Sequence, residues 1–265
     1  MTFQETLQNL IPHGDGWSMR VPEDWAVGRT TFGGMQTAIA VAAARKRVSA
    51  DIPLRSVQTT FVGPVIPGQQ IQVYANKLRT GKSVSHIEVR LMQDQLTLCL
   101  LTVVFGAARE SALRFDRSAP QVSADPGASQ AWPTDPVGHF PFQAHFEQRW
   151  VPGCIPGSGL SEPRTSIWLR SVDHEPLSES HVIAFADVPP TPALSALNRW
   201  AQGASLIWML ELLDHDFSFD PDAFWRMDMN IFAGRDGYYA QDAVLWNPAG
   251  RAAALSRQTA MVFEK

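Results

Sequence analysis

Residues 28–48, GRTTFGGMQTAIAVAAARKRV, decide the fold. The stretch opens with hydroxyl residues and the twin glycines Gly33 and Gly34, then runs into an Ala-rich, nearly uncharged segment. Ala38, Ala40, Ala42, Ala43 and Ala44 are strong helix formers, and Arg45, Lys46 and Arg47 suit the negative end of a helix dipole. The predicted helix is apolar or small almost all round, so other structure must cover most of its sides, as when a sheet curls about it. Gly33 and Gly34 remove side chains from its entrance, where backbone N–H groups lack partners. Either they only permit a tight strand-to-helix turn, or they clear a path for a carbonyl or anion to reach those donors.

Four segments follow the helix: LRSVQTTFVGPV, QQIQVYANKLR, SVSHIEVRLMQ and LTLCLLTVVFGAA. They are rich in β-branched and aromatic residues, are punctuated by Pro-Gly, Thr-Gly and Asp-Gln turns, and predict consecutive antiparallel strands. In the second, Ile71, Val73 and Ala75 fall on one face and Gln70, Gln72 and Asn76 on the other, with an irregularity at Leu78. From Arg109 to about residue 145 the composition turns to Pro, Ser, Asp and Gly without periodicity, and the length exceeds an ordinary loop. The chain then replays its first half. FEQRWV and RTSIWLRSV predict strands, LSESHVIAFADV a helix, and three further strand segments end at Phe263. Arg79-Thr80-Gly81 opens a hairpin in the first half as Arg235-Asp236-Gly237 does in the second, so a structural duplication is expected. The expected division is 1–108, a connector over 109–144, and 145–265.

At 265 residues, 45% hydrophobic and 18% charged, the chain has the makeup of a globular protein. A formal charge of -4 gives no general attraction to nucleic acid. Residues 96–108 form the longest apolar run, too short for a bilayer, and the first residues lack the basic-then-apolar pattern of a signal peptide. A soluble cytoplasmic protein without membrane or nucleic-acid partners is expected. Cys99 and Cys154 make neither a disulfide framework nor a metal site, though a single pairing stays open. Gly-Ser-Gly in PGSGLSE is not a serine-hydrolase elbow, and the seven histidines include no His-Glu-x-x-His. His86, His174 and His181 are usable acid-base groups. His139 and His145, in or beside the connector, are expected to be solvated.

Several residues together resemble a known family, the double-hotdog acyl-CoA thioesterases of the type II class. They are Gly28-Arg29, Phe32-Gly33-Gly34, TTFVGPVIPG and LRTGKSVSHIEVRLMQ in the first half, then Asp187, Ala204-Ser205-Leu206 and Gln258 in the second. The resemblance spans nearly the whole chain. It implies an α+β double hotdog, two helix-wrapped antiparallel sheets joined into one, and hydrolysis of coenzyme A thioesters in fatty acid metabolism. It further implies catalysis by Asp187, Ser205 and Gln258, with no metal or redox cofactor, and a homo-oligomer. Substrate is expected at Gly33, Gly34 and Met35, and at the hairpin turn Gly81, Lys82 and Ser83. The chemistry agrees: Asp187 takes a proton from water, while the amide and hydroxyl orient it and backbone N–H groups at the helix entrance receive the carbonyl. On this reading Gly34→Val is expected to impair turnover without unfolding the protein.

Asp187 is odd on local grounds too, since it ends an apolar helix whose C-terminal dipole repels a carboxylate. Satisfying turn amides is the alternative role for it, and a strand hydroxyl or a solvent-facing amide for Ser205 and Gln258. One departure from the family pattern is Ile207-Trp208, where an Asp-His pair is common. It leaves a rival open, a non-catalytic acyl-CoA or lipid-binding protein on the same scaffold. An enoyl-CoA hydratase lacks a suitable Asp-His pair here.

Overall fold

The computed structural model describes residues 1–131, 139–153 and 155–263. The elements, in chain order, are α1 (Phe3–Gln8), β1 (Ile11–His13), β2 (Gly16–Arg20), β3 (Ala26–Val27), β4 (Thr30–Thr31), α2 (Gly33–Arg45), β5 (Leu54–Phe61), β6 (Gln70–Thr80), β7 (Val84–Gln93) and β8 (Leu96–Gly106). They continue with β9 (Gln130–Ala131), β10 (Phe146–Trp150), β11 (Arg164–Ser171), α3 (Glu179–Phe185), β12 (Gln202–Leu212), β13 (Trp225–Arg235), β14 (Tyr238–Trp246) and β15 (Ala252–Phe263).

One 13-stranded sheet runs β1-β2-β6-β7-β8-β5-β12-β15-β14-β13-β11-β10-β9, antiparallel throughout. Its two sides repeat one order outward from the centre, β5-β8-β7-β6-β2 against β12-β15-β14-β13-β11. In each half a strand leads to a helix and then to four antiparallel strands, so the duplication is topological. β5 and β12 pair at the join, with Val57 opposite Leu210. This is the hotdog arrangement, with the sheet curled round α2. Residues 34–44 of that helix are buried but for Ala42, as its Ala-rich, uncharged sequence requires. The irregularity at Leu78 is a register shift between Lys77 and Arg79.

An aromatic seam joins the halves. Phe32 stacks on Phe142 at 4.3 Å, Phe146 meets both Phe32 and Phe185, and Phe185 meets Trp225. His145 belongs to this seam. It is buried and stacks on Trp25 at 3.8 Å, contrary to the solvated role expected for it, because the chain turns inward at residues 141–145 before entering β10. His139 is exposed. The described part of the connector is not a free tether. Arg226 of β13 donates to the Pro120 carbonyl, Trp168 of β11 to that of Ala124, and the Ala119 amide to Gly250, clipping it along the second half. Cys99 is a free, buried thiol in β8, and burial drives its pKa far up. Cys154 lies outside the described residues.

Candidate active site

α2 begins without a local cap. Phe32 carries no side-chain acceptor, and the first turn holds no acidic residue. The acceptor comes from the other half: the Gly34 amide donates to the Asp187 carboxylate. A Cβ on Gly33 would sit 2.6 Å from Asp187 Oδ2, so glycine is needed there to admit the acid. What comes so close to the start of the helix is therefore a carboxylate of the same chain. Asp187 lies two residues beyond α3, whose C-terminus disfavours it, and the N-terminal dipole of α2 offsets that repulsion.

Three polar side chains continue from the acid. Gln258 Nε2 donates to Asp187 Oδ1 at 2.9 Å, and Ser205 Oγ donates to Gln258 Oε1 at 3.0 Å. Sequence reasoning missed the third, Gln241, whose Nε2 donates to the same Oε1 at 3.2 Å. Only its place opposite Gln258 across the β14–β15 ladder, a register between strands, reveals it.

Ser205 reaches this group through a bulge. In β12, Trp208, Leu210 and Leu212 face the core while Ile207, Met209 and Glu211 face out. Strict alternation would turn Ser205 outward with Ile207. Ser205 pairs with Ala260 and Ile207 with Thr259, so Leu206 is an extra residue that turns Ser205 inward. The same register settles where the Ile207-Trp208 departure lies. Ile207 is on the outer face, and Trp208 is core, with its indole N–H donating to Ser256 Oγ at 2.8 Å.

Burial raises the Asp187 pKa to about 7, against the hydrogen bonds from Gln258 and Gly34, which lower it. An acid poised there can take a proton near neutrality. Ser205 gives its hydrogen to Gln258, leaving its lone pairs for a donor such as water.

The remaining expected residues divide. Gly33 and Gly34 adjoin the acid, and Met35 is buried in the same turn. The Gly34 amide, expected to meet a substrate carbonyl, is engaged by Asp187 instead. A Cβ on Gly34 would meet the Phe32 ring at 2.6 Å and the Ala184 backbone at 3.1 Å. Gly34→Val would thus disturb the packing of α2 on α3, which corrects the expectation of an unperturbed fold. The turn Gly81, Lys82 and Ser83 is not brought to the acid. It lies by Val84 and Gly106, at the Leu54 end of β5, whereas Asp187 and Gly33 lie at the Phe61 end, roughly 20 Å along the strand. Its counterpart in the duplication, Asp236-Gly237, is on the Ser205 side, with Tyr239 opposite Ala260.

The reciprocal position, where the α2 C-terminus meets the α3 N-terminus, holds a salt bridge in place of an acid and amide. Arg45 grips Glu179 at 2.6 Å and 3.0 Å. β8, the counterpart of β15, turns Cys99, Leu101, Val103 and Phe105 inward. Of the usable histidines, His181 bonds Glu175 and Ser178, His174 pairs with Asp222 at the surface, and His86 lies in β7 between the buried Ser85 and Ile87. Among the described residues no group of His, Cys, Asp or Glu is arranged to hold a metal ion, and no helix is long and apolar enough to cross a membrane.

Two family models match the chain, the acyl-CoA thioesterase N-terminal domain over residues 21–106 and the acyl-CoA thioesterase C-terminal domain over 116–262. No curated protein sequence matches it. Solved structures with the same fold include a protein of unknown function with hot dog fold from Alicyclobacillus acidocaldarius, with a TM-score of 0.86 at 19% identity over 99% of this chain and 98% of that one. The tesB protein of Mycobacterium avium subs paratuberculosis has a TM-score of 0.80 at 19% identity, over 98% of each chain. An acyl-CoA thioesterase II, TesB2, from Mycobacterium marinum has a TM-score of 0.76 at 14% identity, over 99% of this chain and 98% of that one.

Proposed function

The chain belongs to the acyl-CoA thioesterase family, and from that premise we propose that it hydrolyses acyl-CoA to a free acid and coenzyme A with Asp187 as base. The observation that carries the proposal is the run Ser205–Gln258–Asp187, ending in a half-buried carboxyl with a pKa of about 7 at the entrance of α2. In this reading water donates to the Asp187 carboxylate and to the Ser205 lone pairs. Its oxygen attacks the thioester carbon as its proton passes to Asp187. The C–S bond then breaks, and the sulfur leaves as a thiol with that proton. The first turn of α2, at Gly33 and Met35, receives the carbonyl oxygen as it gains charge, close to the positive end of the helix dipole.

The turn Gly81, Lys82 and Ser83 would act on a part of coenzyme A remote from the thioester. No metal or redox group enters the reaction. We assign the boundaries 1–108, 109–144 and 145–265 to the two hotdog units and their connector. We also place the protein in fatty acid metabolism, as a cytoplasmic homo-oligomer. The rival reading, a binding protein without chemistry, rested on Ile207-Trp208, and neither side chain enters the Asp187 group. Release of free thiol from acyl-CoAs of graded chain length tests the proposal. Tight binding without thiol release at any length would support the rival.

A further inference from the structure

The Gln258 side chain is an amide, so it has a direction. Its Nε2 edge must face Asp187 if the carboxylate is to be held while ionised, because an ionised carboxylate only accepts. Ser205 does not choose between the edges, since a hydroxyl both gives and accepts. Nor does Asp187 once protonated, when its own O–H can meet the Oε1 edge equally well. Near the pKa of the acid, these two neighbours leave the amide free to reverse.

Gln241 lies opposite Gln258 in the β14–β15 ladder, is only 3% exposed, and donates from Nε2 to Gln258 Oε1. Its own Oε1 is buried with no hydrogen-bond partner among the described residues. Reversing both amides would satisfy that oxygen through Gln258 Nε2, but would leave the Gln241 NH2 group in the unpartnered place. An orphaned buried N–H is rarer in proteins than an under-satisfied carbonyl. Gln241 therefore favours the arrangement in which Gln258 turns Nε2 towards Asp187. We propose that Gln241 is a positioning residue that fixes the direction of the Gln258 amide, keeping Asp187 supplied with a donor through its protonation cycle. The proposal rests on the hydrolase reading for its kinetic consequence alone.

The charged groups on the surrounding elements lie elsewhere. Asp242 and Arg257, next in sequence to the two glutamines, are exposed on the opposite face of β14 and β15, and Glu211 is exposed on β12. Arg45 and Glu179 pair at the far end of α2, His181 and Glu175 pair at the start of α3, and Arg55 of β5 donates to Gly106. Asp187 itself is acted on by burial, Gln258 and Gly34.

Gln241→Met keeps the volume and removes the donor, so that Gln258 can reverse towards protonated Asp187 and stabilise the protonated form. The experiment compares wild type and Gln241→Met in two ways, by the pH profile of acyl-CoA hydrolysis and by the 13C carboxyl titration of Asp187 without substrate. We expect kcat at pH 7 to fall roughly 3- to 10-fold, the scale of one net hydrogen bond, with KM unchanged. Both the acid limb and the carboxyl titration should move upward by about half a unit or more. A folded Gln241→Met with wild-type kcat and an unmoved titration would overturn the role, as would a loss of kcat with the titration unmoved, which marks packing alone. If wild type hydrolyses no acyl-CoA, the hydrolase reading fails while the titration still decides the role of Gln241. If Gln241→Met does not fold, Gln241→Asn, whose shorter amide falls away from Gln258, is held to the same two readouts.

Discussion

Asp187 is costly to the fold at the pH where it would work. The folded protein holds its proton up to about pH 7, whereas an ordinary aspartate releases it near 3.8. The native state thus binds more protons between those values, and stability falls as pH rises through that window, the penalty being complete above pH 7. Asp187→Asn has no such titration. Its thermal midpoint relative to wild type should climb between pH 4 and pH 8, measured by calorimetry at matched ionic strength; a constant difference would mean that the acid is not held protonated. At Gly33 the constraint is steric. Gly33→Ala drives a methyl into Asp187 Oδ2, so turnover should fall by roughly 10²-fold, as for a small misplacement of a reacting group, in a protein that still folds. Unchanged turnover in that variant would show that the carboxylate position is not critical.

Among the elements, β12 shows why part of the site escapes sequence reading. The residues of α2 declare a covered helix through their alanines, and the pattern of β6 showed its irregularity at Leu78. The inward turn of Ser205, by contrast, depends on Leu206 being unpaired against β15, and nothing in GASLIW marks which residue bulges. Gln241 stayed hidden for the same reason, since its partner is set by the register of β14 on β15. Asp187 stood out because it broke a local rule at the end of α3. The group that offsets it, the entrance of α2, is supplied only by the tertiary fold. Deleting Leu206 should remove the bulge and set Ser205 directly before the outward Ile207, so that strict alternation itself keeps Ser205 on the inner face. Turnover is then expected to stay well above that of Ser205→Ala, with folding checked by circular dichroism, and a loss as deep as that of Ser205→Ala would show that the placement of Ser205 depends on the bulge itself.

At the scale of the molecule, a duplicated topology is used asymmetrically. The strand order repeats about the β5–β12 join, yet of the duplicated helices α2 alone receives an acid and an amide at its entrance, while Arg45 and Glu179 pair at that of α3. A non-hydrolysable acyl-CoA analogue should accordingly bind with one site per chain in titration calorimetry, and two equivalent sites would contradict this asymmetry. The halves were legible from their recurring turns. Their aromatic seam was not, because Phe32, Phe142 and Phe185 are far apart in sequence and no periodicity links them. The central claim is that Asp187 activates water, and the pH dependence of kcat/KM for thioester hydrolysis, in wild type and Asp187→Asn, tests it most directly. Wild-type activity should rise through a single ionisation near pH 7, and Asp187→Asn should lose roughly 10²–10⁴-fold together with that limb. Near-wild-type turnover in Asp187→Asn, with the limb intact, would contradict it.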